Sequence, residues 1–222
     1  FKPEKCIISQ REVWHDTWNV ENALRAALRQ DPDILFVWEI RDSETAKIAV
    51  RASITGHLVL STIHTINSVE VITRLRKMGI SNYDIASTLA TSISQRLVRK
   101  VCPHCAIERD FKPEEKDIMN KIAAKYGIEL DFTNKKTYDA IGCEHCNHTG
   151  YYDRIAVYEI LIIDDEIKQL IVDDASSIEI RDIALNGSYK PLIVDGILKV
   201  LDGKITLEEL NKYSYVPFFS LI

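Results

Sequence analysis

The chain has 222 residues, with 28 Lys and Arg against 33 Asp and Glu and a formal net charge of −5. That balance excludes a general phosphate-backbone binder, which clusters its cations on one face, and leaves only local basic patches such as Arg96, Arg99 and Lys100. With 46% hydrophobic and 27% charged residues it reads as ordinary globular material, enough for one large domain or two smaller ones. No apolar run approaches the ~18 residues of a transmembrane helix, and Phe1 to Cys6 holds no signal-peptide core, so the expected compartment is the cytoplasm.

In chain order, Lys5 to Val13 reads as a short strand and turn. Apolar residues at Val20, Ala23, Leu24, Ala27 and Leu28 form a helical stripe, with Asn19 as candidate cap. Arg25 and Arg29 share a face of that helix, either as a solvated edge or as phosphate contacts. Asp33 opens an expected buried strand over Ile34–Val37. Ser43, Glu44 and Thr45 start a helix to Ile54, and Gly56 ends it in the left-handed conformation. A second strand, Leu58–Leu60, runs between His57 and His64. Helices follow over Val69–Lys77, closed by Gly79, and from an Asn82 cap to about Val98. A charged helical piece covers Pro113–Tyr126, and Tyr151–Leu161 alternates as a strand. Short helices then occupy Glu166–Val172, Ile178–Leu185, Leu192–Leu201 and Leu207–Tyr213, the last with Thr206 and Glu209 in capping-box spacing.

Two Cys-x-x-Cys turns, Cys102–Cys105 and Cys143–Cys146, carry the strongest chemical signal. Each presents two thiolates from a tight turn, and together they can close a tetrahedral Zn2+ site across the intervening residues 106–142. Four thiolates leave no open coordination position, so the site is structural. His104, His145 and His148 are alternative ligands, and Cys6 is expected to be a small buried hydrophobe. Glu39 and His64 each follow a short apolar strand, so both emerge at strand carboxyl ends, where ligands sit in open parallel sheets. An acid there can hold Mg2+ or orient a water, and a histidine can sense a phosphate; each alone is equally a loop residue.

The run from Ala23 to Thr65 closely resembles the secretion ATPase family that powers type II secretion and type IV pilus assembly. DPDILFVWEIRD resembles its Walker B segment, with Glu39 as the glutamate, and TGHLVLSTIHT its histidine box, with His57 and His64. QRLVRKVCPHC and GCEHCNHTGYYDRIAVYEIL are similar to the tetracysteine zinc element of the extension (assembly) branch, and VDGILKVLDGKITLEEL to the closing helices. The resemblance implies an α/β fold: the carboxyl half of a RecA-like P-loop ATPase domain at residues 1–100, a zinc element at 101–161 and a small helical domain at 162–222. It also implies ATP and Mg2+ as cofactors with Zn2+ as a structural ion. Arg25 and Arg29 then approach nucleotide phosphates near a subunit interface. The implied assembly is a homo-hexamer, peripheral at the inner face of the cytoplasmic membrane. Its implied partners are a membrane platform protein and cytoplasmic assembly proteins, with no nucleic acid.

Departures accompany the resemblance. No Gly-x-x-x-x-Gly-Lys-[Ser/Thr] phosphate loop occurs in the sequence, so a fragment that is not catalytic by itself is expected. Trp14, Trp38, Asp153 and Ala156 stand where family members carry glycine, and Ile66 where they often carry Asn. A sheet without its first strands is expected to expose apolar faces and an edge. Two rival classes are a non-catalytic, zinc-stabilised module that binds a membrane platform protein, and a zinc-ribbon nucleic-acid binder. Net acidity and the lack of aromatic-basic interleaving speak against the second.

Overall fold

The structure, a computed structural model, describes residues 4–12 and 14–212. Its elements run α1 (Val20–Leu28), β1 (Ile34–Val37), α2 (Ser43–Ile54), β2 (Leu58–Ser61), α3 (Glu70–Lys77), α4 (Asn82–Thr88), β3 (Thr91–Val101), β4 (Ala106–Arg109), α5 (Pro113–Ala124), β5 (Thr137–Ala140), a 3-10 turn (Glu144–Cys146), β6 (Tyr151–Ile162), α6 (Asp165–Val172), α7 (Ser177–Asn186), α8 (Leu192–Leu201) and α9 (Leu207–Asn211). They form two compact units, and the chain crosses between them at Ala90–Thr91, Ile162–Ile163 and Ile180–Arg181.

In the first unit β1 and β2 pair in parallel, from Ile34 opposite Leu58 to Val37 opposite Ser61. The side chains alternate, so Leu35 and Val37 point one way and Ile34 and Phe36 the other. Val37 and Val59 pack with Leu24 of α1 and Ile48 of α2. Each helix is started by a side chain: Asn19 Oδ1 accepts from Asn22 N at 2.8 Å, and Asp42 Oδ1 from Thr45 N at 2.8 Å. The α2 cap is thus Asp42, one residue before the expected start. Arg76 ties α3 to the end of α6, donating to the Ile171 and Ala175 carbonyls and to Asn82 Oδ1.

Four expectations are corrected. The helix from residue 82 stops at Thr88 and is capped by Ser81, whose Oγ accepts from Asp84 N. Residues 91–101, with their alternating pattern, instead form β3, antiparallel to β6 from Thr91–Ile162 to Val101–Tyr151. Residues 4–12 contain no strand, and Cys6 is exposed. The first strand is buried on one side only, because just α1 and α2 cover it. Val13, Tyr213 and the tail lie outside the described residues.

In the second unit the β3–β6 ribbon packs Val98 and Val157 into a core with Met119, Ile122, Ile197, Val200 and Leu210. One end of this core is closed by a charge. The Glu209 carboxylate on α9 is fully buried and accepts from Arg99 backbone N (3.2 Å), Arg99 Nε (2.9 Å) and Arg99 Nη2 (2.7 Å). Thr206 caps α9 as expected, but Glu209 turns to Arg99 instead of completing a reciprocal box. Burial alone would raise the Glu209 pKa; the Arg99 donors outweigh it and hold the carboxyl below its usual range.

Two expectations follow. A group with a depressed folded pKa stabilises above the unfolded value near ~4.3 and stops doing so as pH falls through the folded pKa. Glu209→Gln should therefore cost about 2–3 kcal/mol at pH 7, since Arg99 retains some solvent access, and the gap from wild type in urea melts should narrow below about pH 4. The open face of the parallel pair, with Ile34 57%, Phe36 49%, Leu58 54% and Leu60 48% exposed, should drive self-association. Sedimentation should show concentration-dependent association that weakens in the double variant F36S/L60S.

Candidate functional site

The β1–β2 pairing continues beyond the strands: Ile40 N donates to the Thr62 carbonyl (2.9 Å) and Thr62 Oγ1 to the Trp38 carbonyl (2.6 Å). This holds the two strand exits side by side. Glu39 and His64 consequently meet, His64 Nε2 lying 3.1 Å from Glu39 Oε1. The other carboxylate oxygen accepts from Arg41 Nε at 2.5 Å. The Glu39 side chain is only 9% exposed, while those of Arg41 and His64 are 74% and 88% exposed. Arg41 was not singled out from sequence. The signal was there, since residues two apart on extended backbone share a side.

The other sequence-predicted residues of this unit lie elsewhere. His57 precedes β2, and its Nδ1 is 3.0 Å from the Ala52 carbonyl and 3.0 Å from Thr55 Oγ1, tying it to the end of α2. Arg25 pairs with Glu21 along α1, and Arg29 is the exposed C-cap of the same helix, before the amino end of β1. Trp38 is 76% exposed and stands edge-on to Phe36, with ring centroids 6.4 Å apart.

In the second unit the four cysteines converge. Cys102 and Cys143 sulfurs are 4.0 Å apart, Cys105 and Cys146 are 3.8 Å apart, and so are Cys143 and Cys146; all four lie within 4.8 Å of one another. A tetrahedral ion with metal–sulfur bonds of about 2.3 Å needs sulfurs about 3.8 Å apart, so this set can hold a metal ion. The ribbon delivers the two turns to one place: Val101 pairs with Tyr151, and Cys102 N donates to the Gly150 carbonyl at 3.0 Å. Residues between the turns fold as β4, α5 and β5, the two strands pairing antiparallel.

Backbone N–H groups support the sulfurs. Cys146 Sγ accepts from Cys143 N and Gly150 N, both at 3.2 Å, and Cys105 Sγ from Gly142 N at 3.3 Å. Burial raises the Cys146 pKa, but those two N–H groups and the adjoining thiols outweigh it and bring it to about 6. Cys105, where burial dominates, is pushed up to about 12. Of these two thiols Cys146 is the more readily deprotonated, and a bound cation's charge would have to offset the burial of Cys105. The His104 and His145 rings pack at a tilt of 48° with centroids 4.0 Å apart, and His145 packs on Tyr152 at 42° and 4.3 Å. Among the described residues the cysteines alone form a metal-ligating group.

A parallel strand pair ending in a facing acid and histidine, in one chain with a tetracysteine cluster that can hold a metal ion, defines an α/β protein with a candidate metal centre. Residues 10–212 match the family model described as Type II/IV secretion system protein, and the chain belongs to that family. It is 47% identical over 189 residues to the type IV pilus assembly ATPase PilB of Thermus thermophilus, covering 85% of this chain and 20% of that protein. It is 44% identical over 188 residues to the type II secretion system protein E of Aeromonas hydrophila, covering 84% of this chain and 36% of that protein. The crystal structure of the pilus retraction motor PilT with bound ADP superposes with a TM-score of 0.68 at 28% identity, over 98% of this chain and 50% of that one. The chain thus spans a fifth to about a third of the length of these curated relatives. Among the described residues no helix is long and apolar enough to cross a membrane.

Gly150 combines φ +77° with a backbone so close to Ala140 that an added Cβ would lie 2.7 Å from its carbonyl. Gly150→Ala should displace the N–H that supports Cys146 and weaken metal retention roughly 10–100-fold, the usual cost of losing such support. A chelator competition followed by metal analysis measures this. Chelation of the wild-type chain should abolish amide protection in the β4–β5 strand pair first.

Proposed function

We propose that this chain supplies the acid-histidine edge of the nucleotide site, together with the zinc element, of an ATPase that drives type IV pilus assembly or type II secretion. The observation that carries the reading is the 3.1 Å approach of His64 to Glu39 at the carboxyl ends of a parallel strand pair, in a chain of the secretion-system family. In this role Glu39 orients the attacking water or holds Mg2+, and His64 contacts the γ-phosphate.

Arg25, Arg29 and His57 stand toward the amino ends of the same strands. Any contact they make with nucleotide is then to phosphates bound by a neighbouring subunit, which fits a homo-hexameric ring. Cys102, Cys105, Cys143 and Cys146 hold Zn2+ as a structural ion, because thiolate softness and the sulfur spacing suit zinc and no coordination position stays open. The motor acts at the cytoplasmic face of the inner membrane on a platform protein, with cytoplasmic assembly proteins and without nucleic acid. Since the sequence has no phosphate loop, this chain binds nucleotide weakly and does not hydrolyse it alone.

Millimolar ATP with Mg2+ should shift the backbone amide signals of Glu39 and His64 while the signals of the β4–β5 strand pair stay in place, and no phosphate should be released. Metal analysis should find one zinc per chain. Unmoved Glu39 and His64 signals would overturn the nucleotide role. They would leave the second reading, favoured by the missing phosphate loop: a non-catalytic, zinc-stabilised module that binds a platform protein.

A further inference from the structure

Glu39 presents an unusual arrangement of exposure and pairing. Its side chain is nine-tenths buried, yet both groups within ion-pairing distance of its oxygens, Arg41 Nε 2.5 Å from Oε2 and His64 Nε2 3.1 Å from Oε1, belong to side chains mostly in solvent. A carboxylate removed from water has to be paired. Here the pairing layer is also the layer that separates the carboxylate from anything arriving from solution. Arg41 is anchored at its backbone, because the next residue, Asp42, caps α2 through Thr45 N and Thr45 Oγ1. Its long side chain can move while the backbone stays in place.

We propose that Arg41 and His64 form a clasp that occupies both oxygens of Glu39 in the nucleotide-free chain, and that a phosphoryl oxyanion opens it by competing for the two donors. The proposal rests on the nucleotide role of Glu39 given above and adds Arg41 to it as a phosphate-contacting residue. The sign of the ligand follows from the geometry. A divalent cation would meet a guanidinium and an imidazole before it met either carboxylate oxygen. A phosphoryl group meets two donors, and a guanidinium binds phosphate by the same paired geometry as carboxylate. Transfer of Arg41 and His64 to the anion uncovers the Glu39 oxygens, so the acceptor that orients a water becomes available only once a terminal phosphate is in place. The ligand class is the terminal phosphate of a nucleoside triphosphate, or pyrophosphate as its minimal form.

The test is nuclear magnetic resonance of the side chains in the 222-residue chain, with inorganic pyrophosphate as the probe. Without ligand, the Arg41 Nε–H signal should exchange with water at least tenfold more slowly than in Glu39→Gln. Pyrophosphate should shift Arg41 Nε and the His64 ring together with one half-saturation point, and should move the Glu39 carboxyl carbon. Arg41→Ala should raise that half-saturation point at least fivefold at unchanged zinc content, with a lower melting temperature because Glu39 loses a cation, and Arg41→Lys should restore the melting temperature while recovering less than half of the loss in pyrophosphate binding. The proposal is overturned by equal Arg41 exchange in wild type and Glu39→Gln, by pyrophosphate binding unaffected in Arg41→Ala, or by Mg2+ alone releasing Arg41. If ATP with Mg2+ shifts Glu39 but leaves Arg41 Nε paired, the clasp fails and the nucleotide role stands. If pyrophosphate opens the clasp but ATP with Mg2+ does not bind, the nucleotide role fails and the clasp stands.

Discussion

The register of β1 against β2 is the constraint on which the first unit depends. Parallel pairing from Ile34–Leu58 to Val37–Ser61 makes the two strands end together. Glu39 and His64, far apart in sequence, then emerge at the same level. A slip of one residue by β1 would turn Leu35 and Val37 away from α1 and α2 and present Ile34 and Phe36 to them instead. The core that α1 and α2 form with this sheet therefore protects the geometry of a site to which neither helix contributes a paired side chain. Burial and chemistry are coupled through the two-residue period of the strand.

The second unit reaches a comparable result with antiparallel strands. The β3–β6 ladder ends at Val101–Tyr151, one residue before Cys102 and one after Gly150, so the cysteine turns are carried at its tip. Near that tip the register shifts between Arg99 and Val101, and Asp153 on the longer side adopts φ 67°. This is the backbone of a bulge whose first residue is ordinarily glycine. The bulge lies next to the end of the ladder that carries the cysteine turns, and Arg99 beside it is held by Glu209 and lies over the Tyr151 ring at 4.2 Å. A buried ion pair thus stabilises the element that positions the sulfurs.

Much of this was legible in sequence because the signals were local. Apolar periodicity marked α1, β1, α2 and β2 to within a residue or two, and Asn19, Gly56 and Thr206 marked helix ends. The cysteine spacing announced its own chemistry. The misses were tertiary. Nothing in residues 82–98 alone separates a long helix from a short one followed by a strand; the decision lies with β6, much later in the chain, which pairs with every residue from Thr91 to Arg99. The half-open β1 could not be read from its own residues, since a short apolar run has the same composition whether one face or two are covered; it followed only from the expectation that the sheet exposes apolar faces. Arg41 escaped because attention to strand ends stopped at the acid, whereas what shields that acid depends on an extended two-residue reach.

The glycine departures gain physical content from the backbone. Trp14 and Asp153 both adopt left-handed conformations, φ 73° and 67°, at positions where the family resemblance calls for glycine. The chain has kept the turn and accepted the cost of a Cβ, of the order of 1 kcal/mol at each. Trp38 is a different case, since the left-handed residues do not include it and its indole lies on the open face beside Phe36. Its effect is steric at the strand end: it extends an exposed apolar surface up to the residue before Glu39. Trp38 therefore adds to the open apolar face beside Phe36 and not to the surroundings of the Glu39 carboxylate, which is faced by Arg41 and His64.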